Sequence, residues 1–184
     1  MSTVHCTDLH FVIGGMRSGK SRFAQALASH ERLVVVIATA LPADAEMRHR
    51  IERHRADRPA HWRVVEVPPT VSGLADAIRT HAAAEGCLLI DCLTVWLSQL
   101  ICPPPGVPAV DAGCATAAAL QTLRTAPGRI IVVSNEIGLG VVPIDAATRR
   151  VVDALGRLHQ DVAAMARQVT WMVAGLPVTI KGGE

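Results

Sequence analysis

Aromatic residues are scarce in this sequence of 184 residues: Phe, Tyr and Trp together make up 3%, and Tyr does not occur. The hydrophobic core must therefore be built from Val, Leu, Ile and Ala, which suits a buried, mostly parallel sheet. Hydrophobic residues account for 50% of the chain and charged residues for 18%, a composition that excludes disorder. We expect residues 1–184 to form a single domain, because this length can bury a large core.

The sequence also lacks paired cysteine motifs. Its five cysteines include no C-x-x-C pair, and their number is odd. These features argue against a zinc site or a disulfide framework and favour reduced thiols in a cytoplasmic protein. No apolar run reaches the roughly 20 residues that span a membrane, and the N-terminus shows no signal-peptide pattern. We expect no membrane span, and we expect residues 1–8 to be a loose extension before the first strand.

A strong charge of either sign is missing too. The net charge of +2 at pH 7 is too small to indicate a nucleic-acid-binding surface, so nucleic acid is not an expected partner. The positive charge is nevertheless unevenly placed, since six arginines lie close together: Arg48, Arg50, Arg53, Arg55, Arg58 and Arg63.

The sequence does contain a phosphate-binding loop. Residues 14–21 read Gly-Gly-Met-Arg-Ser-Gly-Lys-Ser and match the Walker A pattern G-x-x-x-x-G-K-[ST]. An apolar run at 9–13 precedes the loop as a predicted strand, and residues 22–28 continue it as a helix, which is the context that a P-loop requires. Backbone N–H groups of the loop can surround a phosphate at the positive end of that helix. Lys20 would reach the β- and γ-phosphates, and Ser21 would hold Mg²⁺.

Apolar runs and helical patterns alternate along the chain. We expect strands at 33–38, 61–67, 87–91, 130–133 and 169–173, and helices at 20–29, 44–57, 71–84, 93–101, 111–125 and 145–167. This order predicts an α/β fold with a mostly parallel central sheet and helices on both faces. A turn at 175–177 and a returning strand at 178–181 predict a terminal hairpin, and hence an antiparallel edge strand.

Asp91 is a candidate acid for the nucleotide site. It ends the apolar run at 87–90, as a Walker B acid does, and would bind Mg²⁺ directly or through water. The ordinary alternative is an N-cap for the helix predicted at 93–101. Because a Walker A loop is present, we favour a metal role for Asp91 together with Ser21.

Loop residues follow two other predicted strands. Thr39 and Ala40 come after the strand at 33–38, and Asn135 and Glu136 come after the strand at 130–133. In open parallel sheets, ligands bind at this carboxyl edge. Asn135 and Glu136 are therefore candidates for a substrate loop, although a helix cap and turn would explain them equally well.

His54 lies in the arginine-rich stretch, within the helix predicted at 44–57. A lone histidine is usually packed or solvent-facing without special use. Alternatively, His54 is a nucleophile toward phosphorus, with Arg53 and Arg55 beside it to hold an incoming phosphate. The pattern alone favours the first interpretation.

Several stretches taken together go beyond a general P-loop pattern. They are Gly-Gly-Met-Arg-Ser-Gly-Lys-Ser-Arg at 14–22, Ile-Ala-Thr at 37–39, Glu-Met at 46–47, Arg-Ile-Glu-Arg-His-Arg-Ala-Asp-Arg-Pro-Ala-His-Trp at 50–62, Leu-Leu-Ile-Asp-Cys-Leu-Thr at 88–94 and Ser-Asn-Glu-Ile-Gly-Leu-Gly-Val-Val-Pro at 134–143. In this order and spacing, the sequence resembles the bifunctional adenosylcobinamide kinase/adenosylcobinamide-phosphate guanylyltransferase family of cobalamin biosynthesis. The resemblance extends from His10 to Lys181.

The resemblance implies a two-step activity. A nucleoside triphosphate, ATP or GTP, phosphorylates the aminopropanol hydroxyl of adenosylcobinamide. GTP then supplies GMP to that phosphate through a guanylylated histidine, which yields adenosylcobinamide-GDP and pyrophosphate. The resemblance also implies a RecA-type P-loop fold and a homotrimer, with Mg²⁺ as cofactor.

Individual roles follow from the same resemblance. The guanylylated histidine falls on His54, which reverses the interpretation drawn from the pattern alone. His49 and His61 are the rivals, and His61 is the stronger because Trp62 follows it. Lys20 is the second catalytic residue. Positions that match the family's nucleotide contacts are Gly14, Gly15, Met16, Arg17, Ser18, Gly19, Lys20, Ser21, Ala38, Thr39, Ala40, Arg55, Ala56, Asp57, Arg58, Glu66 and Asp91.

The chain departs from the family pattern in places, and some roles stay open. Family members often carry His-His where this chain has Arg53-His54, and the loop at 40–42 differs. Either Asp91 or Glu136 would take the proton from the aminopropanol hydroxyl. The rival functions are a P-loop kinase of another small metabolite and a GTP-binding regulator. The regulator would need a guanine-specifying motif such as Asn-Lys-x-Asp, which this sequence lacks.

Overall fold

The computed structural model describes residues 8–41, 45–56 and 58–182, and at positions 46, 50, 53 and 54 it describes the backbone alone. In this part of the chain the strands are β1 (Asp8–Gly14), β2 (Val34–Ala38), β3 (Arg63–Glu66), β4 (Cys87–Asp91), β5 (Arg129–Asn135), β6 (Gln168–Val173) and β7 (Leu176–Lys181). The helices are α1 (Lys20–Ala28), α2 (Ala45–Ala56), α3 (Gly73–His81), α4 (Leu93–Ile101), α5 (Ala112–Thr125) and α6 (Ala146–Met165).

The strands form one sheet in the order β3-β2-β4-β5-β1-β6-β7. All neighbours pair in parallel except β6 and β7, which are antiparallel. The predicted α/β fold with an antiparallel edge strand is therefore confirmed. Strand β5 lies between β1 and β4, and its last residue, Asn135, is in register with Gly14. The carboxyl ends of the three strands consequently meet at one edge of the sheet.

Helices cover both faces of the sheet. Successive side chains of a strand point to opposite faces, so Leu9, Phe11 and Ile13 of β1 join a core with α3, α4, α5 and α6, whereas Val12 joins a core with α1. Burying a side chain of this size contributes about 1.5–3 kcal/mol. These two cores fix the sheet, and with it the positions of the loops at its carboxyl edge.

The predicted ends of several elements are wrong by a few residues. The strand expected at 61–67 is β3, Arg63–Glu66, because the chain makes a turn in which the Trp62 N–H donates to the Pro59 carbonyl. The helix expected at 71–84 is α3, Gly73–His81. The helix expected at 44–57 is α2, and its predicted end residues lie outside the described ranges.

The terminal hairpin is tighter than the sequence suggested. Val173 pairs with Leu176, so the turn consists of Ala174 and Gly175 rather than residues 175–177. Both turn residues have positive φ, +51° and +83°, which is the backbone of a two-residue type I′ turn. No helix in the described ranges has the length and apolar character needed to cross a membrane.

Candidate active site

A cavity of about 500 Å³ opens at the carboxyl edge of the sheet. The loop after β1, the ends of β2, β4 and β5, and one side of α2 surround it. Its lining consists of Met16, Arg17, Ser18, Gly19, Lys20, Ser21, Arg22, Ala38, Ala40, Met47, His49, Ile51, Arg55, Arg58, Glu66, Asp91, Cys92, Val95, Val133 and Asn135. Most of the residues predicted to contact nucleotide are therefore brought together around one space. Gly14, Gly15, Thr39 and Ala56 are not among the lining residues.

The loop at 14–21 has the conformation that its glycines permit. Gly19, at the N-terminus of α1, has φ +93°, a left-handed backbone that favours glycine. A Cβ on Gly14 would stand 2.4 Å from the Met172 carbonyl oxygen, so only glycine fits there. The buried Lys20 ammonium donates to the Gly15 carbonyl at 2.6 Å and to Ser18 Oγ at 3.3 Å. The side chain thus folds back over its own loop, at the cavity surface.

The terminal hairpin supports this loop from behind. The Gly175 N–H donates to the Ser18 carbonyl at 3.0 Å. A Cβ on Gly19 would approach the Gly175 Cα to 3.2 Å. The turn between β6 and β7 therefore packs directly on the phosphate-binding loop, a contact between residues far apart in the sequence that no local pattern indicates.

Asp91 ends β4 at the cavity and does not cap the following helix. The N-cap of α4 is Cys92, and no side chain bonds to the helix there. Thr39 holds this segment: its hydroxyl donates to the Cys92 carbonyl at 2.7 Å and accepts from the Cys92 N–H at 3.0 Å. Thr39 is only 1% exposed, so its hydroxyl serves the backbone after Asp91 and does not face the cavity.

Two arginine–carboxylate pairs lie at the cavity. Arg58 donates to Asp91 at 3.1 Å, and these side chains are 6% and 15% exposed. Arg55, near the end of α2, pairs with Glu66 at the end of β3, where both side chains are more than half exposed. The arginine-rich stretch therefore supplies two guanidinium groups to one cavity, which suits a triphosphate.

The histidines near α2 occupy different places. His49 is exposed and lines the cavity. His61 is also exposed, but it lies in the turn before β3 and is not among the lining residues. His54 belongs to α2, where its backbone alone is described, and Asp57 lies outside the described ranges. Of the two rivals to His54, His49 is therefore closer to the cavity, whereas the sequence pattern favoured His61.

Asn135 and Glu136 face two different spaces. Asn135 lines the nucleotide-sized cavity. Glu136 lines a second hollow of about 410 Å³, between the loop after β5 and helix α6. The Glu136 N–H donates to the Gly14 carbonyl at 2.9 Å, so the end of β5 is tied to the start of the phosphate-binding loop.

Sequence reasoning missed several residues of the site, among them Cys92 and Val95, which line the cavity from the start of α4. It also missed Thr94 and His159, which bond to Ser134 beneath the end of β5. Thr94 and Cys92 belong to the motif at 88–94, and that motif was a usable signal. Nothing local marks His159, because it lies 25 residues from Ser134 in the chain.

The residues at the cavity fit a bound Mg²⁺. This ion takes oxygen ligands and is usually held by one or two carboxylates together with substrate phosphates and water. The Ser21 hydroxyl and the Asp91 carboxylate both lie at the cavity. No group of three or more His, Cys, Asp or Glu side chains in the described ranges could hold a metal ion. A metal that shares its coordination with phosphates does not need such a group.

Comparison with protein families gives a match over nearly the whole chain. The model described as "Cobinamide kinase / cobinamide phosphate guanyltransferase" matches residues 10–180. The "Bifunctional adenosylcobalamin biosynthesis protein CobP" of Pseudomonas aeruginosa is 50% identical over 93% of this chain and 96% of its own length. The "Bifunctional adenosylcobalamin biosynthesis protein CobU" of Escherichia coli is 37% identical over 92% of this chain and 98% of its own length.

Solved structures share the fold at low sequence identity. An ATPase of the type III secretion system of pathogenic bacteria superposes with a TM-score of 0.53 and 13% identity, over 94% of this chain and 56% of that chain. A Pyrococcus horikoshii OT3 protein superposes with a TM-score of 0.55 and 7% identity, over 96% of this chain and 87% of that chain. The predicted P-loop NTPase fold is therefore confirmed.

Proposed function

The chain belongs to the cobinamide kinase/cobinamide phosphate guanyltransferase family, and we propose that it carries out both reactions. In the first, ATP or GTP phosphorylates the aminopropanol hydroxyl of adenosylcobinamide. In the second, GMP passes from GTP to that phosphate, which gives adenosylcobinamide-GDP and pyrophosphate. One observation carries the proposal: the phosphate-binding loop, Asp91, two arginines and helix α2 surround a single cavity.

In the phosphorylation step, the phosphate-binding loop holds the triphosphate. Loop N–H groups and the N-terminus of α1 favour negative charge at this point. Lys20, which folds over the loop, is the group we propose to neutralise charge on the transferred γ-phosphate. Asn135 is in register with Gly14 in the next strand, and we propose that its amide contacts the same end of the substrate.

In the guanylyl transfer, a histidine nitrogen attacks the α-phosphorus of GTP. The bond between the α-phosphorus and the bridging oxygen breaks, and pyrophosphate leaves with the electron pair. The phosphate of adenosylcobinamide phosphate then attacks the same phosphorus and releases the histidine. We propose His54 as this nucleophile, on the resemblance of residues 50–62 to the family. A covalent intermediate divides one difficult transfer into two easier ones.

Arg55 and Arg58 are the residues we propose for the anionic part of GTP. Guanidinium groups form bidentate hydrogen bonds with phosphate oxygens. Arg55 follows His54 directly on α2, and the Arg58 side chain reaches across to Asp91. Both charges therefore lie where phosphate would pass between the loop and α2.

Ser21 and Asp91 are the residues we propose to hold Mg²⁺. The bound ion would neutralise phosphate charge and orient the triphosphate for in-line transfer. Thr39 keeps the backbone next to Asp91 in place through its two hydrogen bonds to Cys92. The carboxylate is thereby presented from a fixed strand end, at the same cavity as Lys20 and Ser21.

A homotrimer is part of the proposal, and so is a cytoplasmic location. The loop between β5 and α6 exposes apolar side chains to an unusual degree: Leu139, Val141, Val142 and Ile144 are 76%, 95%, 73% and 98% exposed. A contiguous apolar surface of this kind supports contact with another copy of the chain. Cys87, Cys92, Cys102 and Cys114 form no disulfide bond, which supports a reducing compartment.

The direct test supplies purified protein with adenosylcobinamide, ATP, GTP and Mg²⁺. The proposal expects adenosylcobinamide phosphate first and adenosylcobinamide-GDP second, both separable by liquid chromatography and mass spectrometry. Omission of GTP, with ATP retained, should stop the reaction at the phosphate. A chain that forms the phosphate but never the GDP product, even with GTP present, would be a kinase alone. Sedimentation of the wild type and of Val141→Asp tests the trimer.

A further inference from the structure

A buried hydrogen-bond network of side chains lies beneath the end of β5, outside the nucleotide cavity. Ser134 is 0% exposed, and its hydroxyl lies 2.9 Å from Thr94 Oγ1 and 2.7 Å from His159 Nε2. On the far side of the imidazole, His159 Nδ1 lies 3.6 Å from Glu136 Oε2. Three elements, α4, β5 and α6, therefore meet through four polar side chains.

The donors in this network can be assigned in one direction. The Asn135 N–H donates to Thr94 Oγ1 at 2.7 Å, and the closest acceptor for the Thr94 proton is then Ser134 Oγ. The Ser134 proton goes to His159 Nε2, which places the imidazole N–H at Nδ1, facing the Glu136 carboxylate. Burial lowers the pKa of His159, and Glu136 opposes that shift. A neutral imidazole with one N–H directed at Glu136 fits both effects.

Glu136 is held at its other oxygen as well. Its Oε1 accepts the Gly138 N–H, and its backbone N–H donates to the Gly14 carbonyl. The Glu136 backbone is therefore tied to the start of the phosphate-binding loop, and its carboxylate, with the side chain 20% exposed, lies between the Gly138 N–H and α6. By contrast, Asp91, the other acid considered for the acceptor alcohol, is already paired with the nearly buried guanidinium of Arg58.

The hollow beside Glu136 has room for an external group. Helix α6 crosses it with Gly156 in mid-helix, where glycine costs about 1 kcal/mol relative to alanine. A Cβ at Gly156 would meet nothing within 4 Å, so packing within the chain does not require glycine there. Asp153, Arg157 and Gln160 surround this point, and such groups suit a ligand rich in amides and hydroxyls.

We propose, resting on the function proposed above, that His159 is a positioning residue for the phosphoryl acceptor. It holds the Glu136 carboxylate at the second hollow, where that carboxylate binds the acceptor's alcohol and takes its proton. The alkoxide oxygen then forms a bond to the γ-phosphorus. The bond from that phosphorus to the bridging oxygen breaks, and the nucleoside diphosphate leaves with the electron pair. The amide-bearing body of the acceptor lies along α6.

The test compares two half-reactions in the same protein. Guanylylation of the enzyme by GTP needs no acceptor, whereas phosphorylation needs the alcohol. His159→Phe keeps a ring against Phe11, whose centroid lies 5.6 Å away, and removes both nitrogen contacts. We expect at least a 10-fold loss of kcat/KM for adenosylcobinamide, with the rate of GTP-dependent labelling within about 2-fold of wild type. His159→Gln, which keeps a polar group toward Ser134, should retain more activity.

A double-mutant cycle with Glu136→Gln decides whether His159 acts through Glu136. We expect the His159→Phe/Glu136→Gln protein to be no slower than Glu136→Gln alone, because the imidazole then has nothing to position. The exposed Asp161→Asn on α6 is the control for helix changes. The inference would be overturned if the rate losses of the two single variants multiplied in the double variant, or if His159→Phe slowed labelling and phosphorylation equally. Either result would leave the proposed function intact. A wild-type protein that never phosphorylates adenosylcobinamide would overturn both.

Discussion

Arg58 Nη2 lies 3.1 Å from Asp91 Oδ2, and these two side chains are 6% and 15% exposed. A few residues earlier, Arg55 forms the same kind of pair with Glu66, but there both side chains are more than half exposed. The cavity thus contains two arginine–carboxylate pairs of the same chemistry that differ in burial. That difference separates their contributions to stability.

Removing the guanidinium of Arg58 should destabilise the fold, because it leaves the Asp91 carboxylate buried without a partner. We expect Arg58→Met to lower the free energy of unfolding by about 3 kcal/mol. The matched variant Arg55→Met should cost less than about 1 kcal/mol, since water screens an exposed pair. Urea unfolding of the two variants at pH 7 measures both values. Equal losses of unfolding free energy in the two variants would show that burial does not distinguish the pairs.

Lys20 is one of two lysines in the sequence, and the other offers a control. Lys20→Met should reduce phosphoryl transfer by about 100- to 1,000-fold, because one preorganised charge at the transferred group is lost. Lys181 donates to the Ala163 and Ala164 carbonyls at 2.9 Å, and it pairs with Val169 at the end of the hairpin opposite the turn that packs on the phosphate-binding loop. At a temperature where the variant is folded, Lys181→Met should therefore have the turnover number of the wild type. Similar turnover numbers for the two variants would contradict the role of Lys20.

A substitution in the turn of the terminal hairpin should make the fold more stable. Ala174 is exposed and has φ +51°, a backbone that costs about 1–2 kcal/mol for an ordinary L-residue. Asn-Gly is the preferred pair for a type I′ turn, so Ala174→Asn should raise the melting temperature by about 2–4 °C. Ala174→Val, which adds a branched Cβ at the same φ, should lower it. Calorimetry of both variants checks the prediction, and a stabilising valine would refute this description of the turn.

The buried histidine of β1 should make stability depend on pH. Burial, with a smaller contribution from Arg129, lowers the pKa of His10 below 6.5 in the fold. His10 therefore stabilises the fold fully above pH 6.5, and this contribution is lost as the pH falls through the lowered pKa, because the unfolded chain binds the proton more readily. His10→Gln, which can still bond to Thr170, should flatten the fall in unfolding free energy between pH 7 and pH 5. If the unfolding free energies of the wild type and His10→Gln fell in parallel with pH, His10 would not be the source of the pH dependence.

Local patterns predicted the parts of the site that lie within one element. The glycines and Lys20 of the phosphate-binding loop act within eight consecutive residues, and Asp91 ends an apolar run. The pairing of Arg58 with Asp91 spans 33 residues and depends on the order of strands, which residue spacing does not specify. The same holds for Asn135, which reaches the cavity because β5 lies between β1 and β4.

Thr39 and His159 show a second limit of sequence reasoning. A threonine hydroxyl at a strand end can bond a ligand or a neighbouring backbone, and the sequence does not distinguish the two. In the fold, Cys92 takes both hydrogen bonds of that hydroxyl. His159 lies in the apolar stripe of α6, where its position predicts packing. Its polar partners, Ser134 and Glu136, come from another element.

The central proposal is that a histidine of α2 carries GMP during the second reaction. Intact mass after incubation with GTP and Mg²⁺ tests it most directly, in the wild type and in His54→Ala, His49→Ala and His61→Ala. We predict an acid-labile gain of one GMP in every protein except His54→Ala. A gain that persists in His54→Ala and disappears in His49→Ala, whose side chain lines the cavity, would move the nucleophile there. No gain in the wild type, with or without adenosylcobinamide phosphate, would contradict the guanylyltransferase itself.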